Sequence, residues 1–234
     1  MIDREIHLAR ALLVDSNLLM RSVTAGQLRD AGVGHVMTAG RVKEARMMLE
    51  REWFDIVVCT QEFEGCADSG QDLLDELRRE HLLPHSTVFL MISEKTTYRQ
   101  VVEAAESALD GLLVRPYNTA LLCQRLLEAR NRKRELADVL KALDSGKTEL
   151  AFARALKRFN ENLPYGSYCG RLAAELLLTM NRPADAKRVF EKLGQTTASP
   201  WAKLGVARAQ IACGDNWLAG DVSCQPFYCR LQPL

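Results

Sequence analysis

Four apolar runs in this chain are each followed by a polar residue whose side chain can bind a charged group. The runs and the residues that follow them are Arg10–Val14 with Asp15 and Ser16, Asp55–Cys59 with Thr60, Thr87–Ile92 with Ser93, and Gly111–Val114 with Arg115. A carboxylate can bind a cation, and a guanidinium with nearby hydroxyls can bind an anion. If the runs are parallel strands, ligands bind outside their carboxyl ends, so these five side chains are predicted to form one site.

The segments between the apolar runs have the spacing of amphipathic helices, so strands and helices alternate. The predicted helices are Leu18–Ala31, Val42–Leu49, Gln71–Glu80, Tyr98–Ala108 and a helix capped by Asn118 or Thr119; His35–Ala39 is a further strand. Regular strand–helix units with right-handed crossovers favour an open parallel sheet covered on both faces. For residues 1–127 the sequence predicts an α/β flavodoxin-like (βα)5 doubly wound sheet with strand order 2-1-3-4-5.

Composition excludes several classes of protein. The 234 residues carry 31 basic and 30 acidic side chains, a formal net charge of +1, which argues against nucleic acid as a partner. No apolar run approaches the roughly 18–20 residues that cross a bilayer, so no membrane partner is expected and a cytoplasmic protein is predicted. No catalytic constellation is found, and the expectation is a non-enzyme without a tightly bound cofactor.

The five strand-end residues resemble the pocket of receiver domains of bacterial response regulators, over roughly residues 8–128. The resemblance implies two-component signalling or a phosphorelay, in which carboxylates hold Mg²⁺ and an aspartate after the third strand accepts phosphate. It also implies a hydroxyl after the fourth strand and a Lys-Pro after the fifth. Here Asp15 and Ser93 match the family pattern, while Ser16, Thr60 and Arg115 replace an acidic residue, the phosphoacceptor and the lysine.

These departures predict a pocket that is not phosphorylated on aspartate, because a hydroxyl at position 60 cannot form an acyl phosphate. Thr60 could instead form a phosphate ester, or it is simply a residue that suits a strand end. Arg115 pairs with Asp15 or Glu94 and locks one conformation, or it points into solvent. Asp15 with Glu62, or with Glu64 on the same loop, could hold Mg²⁺ weakly.

Helical spacing continues beyond the receiver-like part, and residues 128–145 are predicted to form a helical connector. Its basic cluster Arg130, Arg132, Lys133 and Arg134 is interpreted as a solvated face rather than a nucleic-acid patch. Residues 146–220 resemble tetratricopeptide repeats, with turns at Gly146, Asn181 and Gly214 that each precede an alanine by five positions. Such repeats stack into a surface that binds a peptide of a partner protein. Residues 221–234 contain Pro226 and Pro233 and are predicted to form an irregular tail.

Three functional hypotheses follow. The leading one is a bacterial signalling adaptor, which binds protein partners through the helical repeats and has a degenerate receiver. The receiver could also form a homodimer through helix 4, strand 5 and helix 5 of its fold. The alternative is a metal- or anion-responsive switch that uses Asp15, Ser93 and Arg115, and nucleic-acid binding is the third.

Overall fold

The computed structural model describes residues 5–63, 69–94, 109–196 and 200–214. The helix predicted over Tyr98–Ala108 and the predicted tail over residues 221–234 lie outside these ranges. The chain divides after Glu135 into two compact units. We call them the receiver unit and the helical unit.

The receiver unit contains one sheet of five parallel strands. They are β1 (Arg10–Val14), β2 (His35–Ala39), β3 (Ile56–Thr60), β4 (Val88–Ser93) and β5 (Gly111–Val114), in the order β2-β1-β3-β4-β5. The register pairs Val14 with Cys59, Thr60 with Ile92 and Ser93 with Val114. The predicted flavodoxin-like fold and strand order are therefore confirmed, and the strand ends meet at one edge of the sheet.

Four described helices cover this sheet, and three of them begin after a residue whose side chain caps the helix. They are α1 (Leu18–Asp30), α2 (Val42–Arg51), α3 (Gly70–Arg79) and α4 (Thr119–Glu135). Asn17 caps α1 by accepting hydrogen bonds from the backbone N–H groups of Leu19 and Met20. Ser69 and Asp72 form a capping box at α3. The Asn118 side chain accepts from the Leu121 N–H at 2.8 Å, so Asn118 is the cap of α4.

Two apolar layers lie on opposite faces of the sheet. Leu13 and Val58 belong to the layer that packs against α1 and α4, through residues such as Leu28 and Leu122. The neighbouring strand residues belong to the layer under α2 and α3, which includes Leu77. Because successive strand residues point to opposite faces and both faces are covered, the central strands β1, β3 and β4 are buried at consecutive positions.

The helical unit is built from helices that pack against their neighbours in sequence, and five of them are described. They are α5 (Ala137–Asp144), α6 (Thr148–Asn160), α7 (Gly166–Thr179), α8 (Pro183–Thr196) and α9 (Pro200–Ala212). Gly146, Asn181 and Gly214, the three turn residues aligned in the sequence, all have positive φ, at 68°, 56° and 87°. Positive φ ends a helix with the left-handed residue that is common after helix C-termini.

Small residues allow the helices of this unit to approach closely. Ala151 and Ala186, the alanines that follow two of the turns, are fully buried. Gly205 of α9 lies so close to the Phe190 ring of α8 that an added Cβ would overlap the ring. Apolar burial between sequential helices therefore holds this unit together.

Candidate functional site

Asp15 lies at the centre of the site and its charge is already compensated. Its side chain is only 2% exposed, although it follows β1 at the edge of the sheet. One carboxylate oxygen accepts the backbone N–H of Asn17 at 2.9 Å, and the other accepts Nη2 of Arg115 at 2.5 Å. This is a charge-assisted contact to a buried carboxylate, the strongest kind of side-chain hydrogen bond.

Arg115 reaches two carboxylates from the end of β5. Its second terminal nitrogen lies 3.4 Å from Oε1 of Glu94, and its side chain is 15% exposed. Its backbone N–H donates to the Ser93 carbonyl at 2.9 Å, which fixes the start of the side chain next to β4. The prediction that Arg115 pairs with Asp15 or Glu94 is confirmed for both residues, and the interpretation that it points into solvent is wrong.

Thr60 lies at the last position of β3 and is 4% exposed. Its backbone pairs with Ile92 of β4, so its place in the sheet is fixed on that side. The first residue of α3, Gly70, comes so near that an added Cβ would overlap the Thr60 carbonyl oxygen. Position 60 is thus enclosed by backbone, and it presents a hydroxyl where the receiver pattern has a carboxylate.

The other predicted site residues are distributed around this centre. Ser93 ends β4 and is 2% exposed, and Ser16 follows Asp15 at an intermediate depth. Glu62 is exposed two residues after β3, whereas Glu64 lies outside the described residues. The sheet therefore brings Asp15, Thr60, Ser93 and Arg115 to one edge.

A second arginine at the site was not anticipated from the sequence. Nη1 of Arg21 on α1 donates to the backbone carbonyl of Asp15 at 2.5 Å. Arg21 follows Asp15 by six residues, so only the turn from β1 into α1 brings its side chain back. The sequence signal for this contact is the position of Arg21, a basic residue near the start of the first predicted helix.

Beneath this edge, Cys59 is fully buried in the layer under α2 and α3. Burial raises the pKa of the Cys59 thiol, and the nearby Asp15 charge raises it further. This thiol stays protonated and apolar in the folded protein. It therefore adds no charge to the site above it.

The basic cluster at the end of α4 differs from its predicted solvated face. Lys133 is 9% exposed and Arg132 is 21% exposed at the side chain, and both pair with Asp110, at 3.1 Å and 2.9 Å. Nζ of Lys133 also donates to the His85 carbonyl at 2.6 Å. The prediction is wrong for these two residues, because a buried carboxylate at the start of β5 holds them.

The receiver unit is similar in sequence to known receiver domains. The response regulator receiver domain family matches residues 11–127. The chain is 33% identical over 117 residues to chemotaxis protein CheY-3 of Vibrio cholerae, covering 50% of this chain and 88% of the relative. It is 30% identical over 117 residues to chemotaxis protein CheY of Pseudomonas aeruginosa, covering 50% of this chain and 92% of that protein.

Among solved structures, CheY4 of Vibrio cholerae matches with a TM-score of 0.46 and 25% identity, over 52% of this chain and 98% of that one. In the described part of the chain, no helix has the length and apolar character needed to cross a membrane. The family match spans the five strands and the residues that end them. The chain therefore belongs to the response regulator receiver domain family.

Proposed function

We propose that the protein is a bacterial signal-transduction adaptor of the cytoplasm, whose receiver unit is not phosphorylated on aspartate and whose helical unit binds a protein partner. The observation that carries the proposal is Thr60. It occupies the buried end of β3, where receivers have their phosphoacceptor. A threonine hydroxyl cannot form the acyl phosphate on which the family's switching depends.

The partner-binding part of the proposal rests on the helical unit. Three observations support a tetratricopeptide-like array: the packing of helices against their neighbours in sequence, the shared positive φ at Gly146, Asn181 and Gly214, and the buried alanines after two of these turns. Arrays of this kind expose the inner face of alternate helices, which is suited to a peptide segment. The homodimer predicted through the fourth helix of the fold (Tyr98–Ala108), β5 and α4 remains a prediction, because Tyr98–Ala108 lies outside the described residues.

The alternative, a switch that responds to metal or a small anion, has less support. Both side-chain oxygens of Asp15 already accept a hydrogen bond, and Arg115 already has two carboxylate partners. A ligand would have to displace contacts that the folded chain makes by itself.

The experiment is intact mass spectrometry of the full chain after incubation with acetyl phosphate and Mg²⁺, with a receiver that has the aspartate as the positive control. We expect no phosphoryl mass on this chain. Partner capture in a two-hybrid screen should be equal for the natural chain and Thr60→Ala. A phosphoryl adduct, or a partner lost in Thr60→Ala, would overturn the proposal.

A further inference from the structure

The receiver family implies Mg²⁺ held by carboxylates, and the donor set of this pocket does not suit that ion. Mg²⁺ requires nearly octahedral oxygen ligands and commonly takes one or two carboxylates. At the positions that match the family pattern, Asp15 is the one carboxylate, while Ser16 and Thr60 supply hydroxyls. The two Asp15 oxygens face the Asn17 N–H and the Arg115 guanidinium. A metal ion would have to take the place of Arg115.

We propose that the Arg115 guanidinium is the permanent counter-ion of the pocket, and that it excludes divalent cations independently of the residue at position 60. This inference rests on the proposed function, because it explains how the pocket remains stable without metal. Arginine suits a buried ion pair with a carboxylate, because its planar guanidinium matches the geometry of that group and is more weakly hydrated than an ammonium. Thr60 and Arg115 are then two separate barriers to receiver chemistry.

The surroundings of Arg115 hold it in place. Its planar group spans two carboxylates, with Asp15 at 2.5 Å and Glu94 at 3.4 Å. Withdrawal of the guanidinium would leave the Asp15 carboxylate, 2% exposed, without its ionic partner, which is strongly unfavourable. A lysine would place a compact charge on a flexible stem and could not span both partners in this way.

A second guanidinium strengthens the exclusion. Arg21 donates to the Asp15 backbone carbonyl at 2.5 Å, so two cationic groups already contact this one residue. A divalent cation brought to Asp15 would meet their repulsion at short range, where screening by solvent is weak. In Thr60→Asp the new carboxylate would lie at the same sheet edge as Arg115, and we expect the arginine to compensate it as well.

The test is Mn²⁺ binding to the full-length protein, measured by electron paramagnetic resonance and calorimetry. The proteins compared are natural, Thr60→Asp, Arg115→Lys and the double variant Thr60→Asp/Arg115→Lys. We expect weak binding by the natural chain and by Thr60→Asp, and at least about tenfold tighter binding by the double variant than by Thr60→Asp. Equal affinity of Thr60→Asp and the double variant would overturn the inference, and so would tight binding by the natural chain.

Two controls keep the result interpretable. Arg125→Lys changes an exposed arginine that pairs with Glu128 on α4, and combined with Thr60→Asp it should leave Mn²⁺ affinity as in Thr60→Asp alone. Circular dichroism establishes that each variant is folded. If the double variant does not fold, Thr60→Asp alone still decides, because tight Mn²⁺ binding with Arg115 present overturns the inference and weak binding supports it.

The two proposals fail in different ways. A phosphoryl mass on the natural chain would overturn the proposed function. Tight Mn²⁺ binding without a phosphoryl mass would overturn only the role of Arg115. The mass measurement and the metal titration therefore separate them.

Discussion

Replacement of Asp110 by asparagine should strongly destabilise the receiver unit. The Asp110 side chain is 2% exposed, and its oxygens accept from Arg132 at 2.9 Å, from Lys133 at 3.1 Å and from the Phe89 N–H at 2.9 Å. Asp110→Asn keeps the shape but removes the charge that balances two cations. Loss of one partner of a buried ion pair costs about 3–5 kcal/mol, because the other charge stays buried.

Hydrogen exchange suits this prediction, because the two units need not unfold together. Phe89 N–H donates to the Asp110 carboxylate, so its amide reports on the contact directly. If that amide exchanges through unfolding of the unit, a loss of about 3–5 kcal/mol accelerates exchange by roughly two to four orders of magnitude. The matched control is Glu128→Gln in an exposed pair, where a change of about 0–1 kcal/mol is expected.

A second variant tests whether the unbalanced positive charge is the cause of the lost stability. Asp110→Asn combined with Lys133→Met removes one of the two cations that lose their carboxylate partner. The double variant should therefore recover part of the lost stability, since burial of an apolar chain avoids the desolvation of an ammonium group. A loss below about 1 kcal/mol in Asp110→Asn, similar to that of the exposed control, would refute the reasoning.

Three further predictions concern packing, thiol ionisation and a buried hydroxyl. Gly205→Ala should lower the free energy of unfolding of the helical unit by about 1–3 kcal/mol through overlap with Phe190, whereas Gly194→Ala, with its nearest atom at 4.0 Å, should raise it by about 0.5–1 kcal/mol in urea titrations. Changes of equal sign would contradict this. Burial raises the pKa of the Cys169 thiol from 9.0 to about 11, so the unfolded chain loses its proton first and stability falls as pH rises from 9.0 to about 11. Thermal melts should show a weaker decline in Cys169→Ala, and an unchanged slope would exclude the effect. Thr87→Val should cost about 1–3 kcal/mol in urea unfolding, because the buried hydroxyl donates at 2.9 Å to the backbone carbonyl two residues before β3; a neutral result would contradict that value.

The central strands β1, β3 and β4 were predictable because parallel strands buried on both faces leave uninterrupted apolar runs. From those runs it followed that Asp15, Thr60, Ser93 and Arg115 meet at one edge, and the structure places them there. The sequence left open whether Arg115 contacts Asp15, Glu94 or solvent. The partner of Arg115 depends on the direction of one long side chain, and the spacing of residues along the sequence does not determine that direction.

For two residues of the basic cluster at the end of α4, the prediction from the sequence was wrong. Four cations within five residues predicted a solvated face, but the partner of Arg132 and Lys133 is Asp110, more than 20 residues earlier in the chain. The Thr24 hydroxyl lies 3.0 Å from that of Tyr117, across 93 residues, and no local pattern announces the contact. Contacts between distant segments are set by tertiary packing, which a pattern in a single segment does not record.

The division into two units has a consequence for the order of events during synthesis. The receiver unit is completed by contacts of very long range, since Asp15 meets Arg115 across 100 residues. Helices of the other unit pack mainly against their neighbours in sequence, so each can dock soon after it emerges. Folding rates fall as the sequence separation of contacts increases, so the later half of the chain should fold faster than the half made first. A nascent chain that ends before Arg115 lacks α4, so one face of its parallel sheet is incompletely covered. We expect this stage of synthesis to be the most exposed to aggregation.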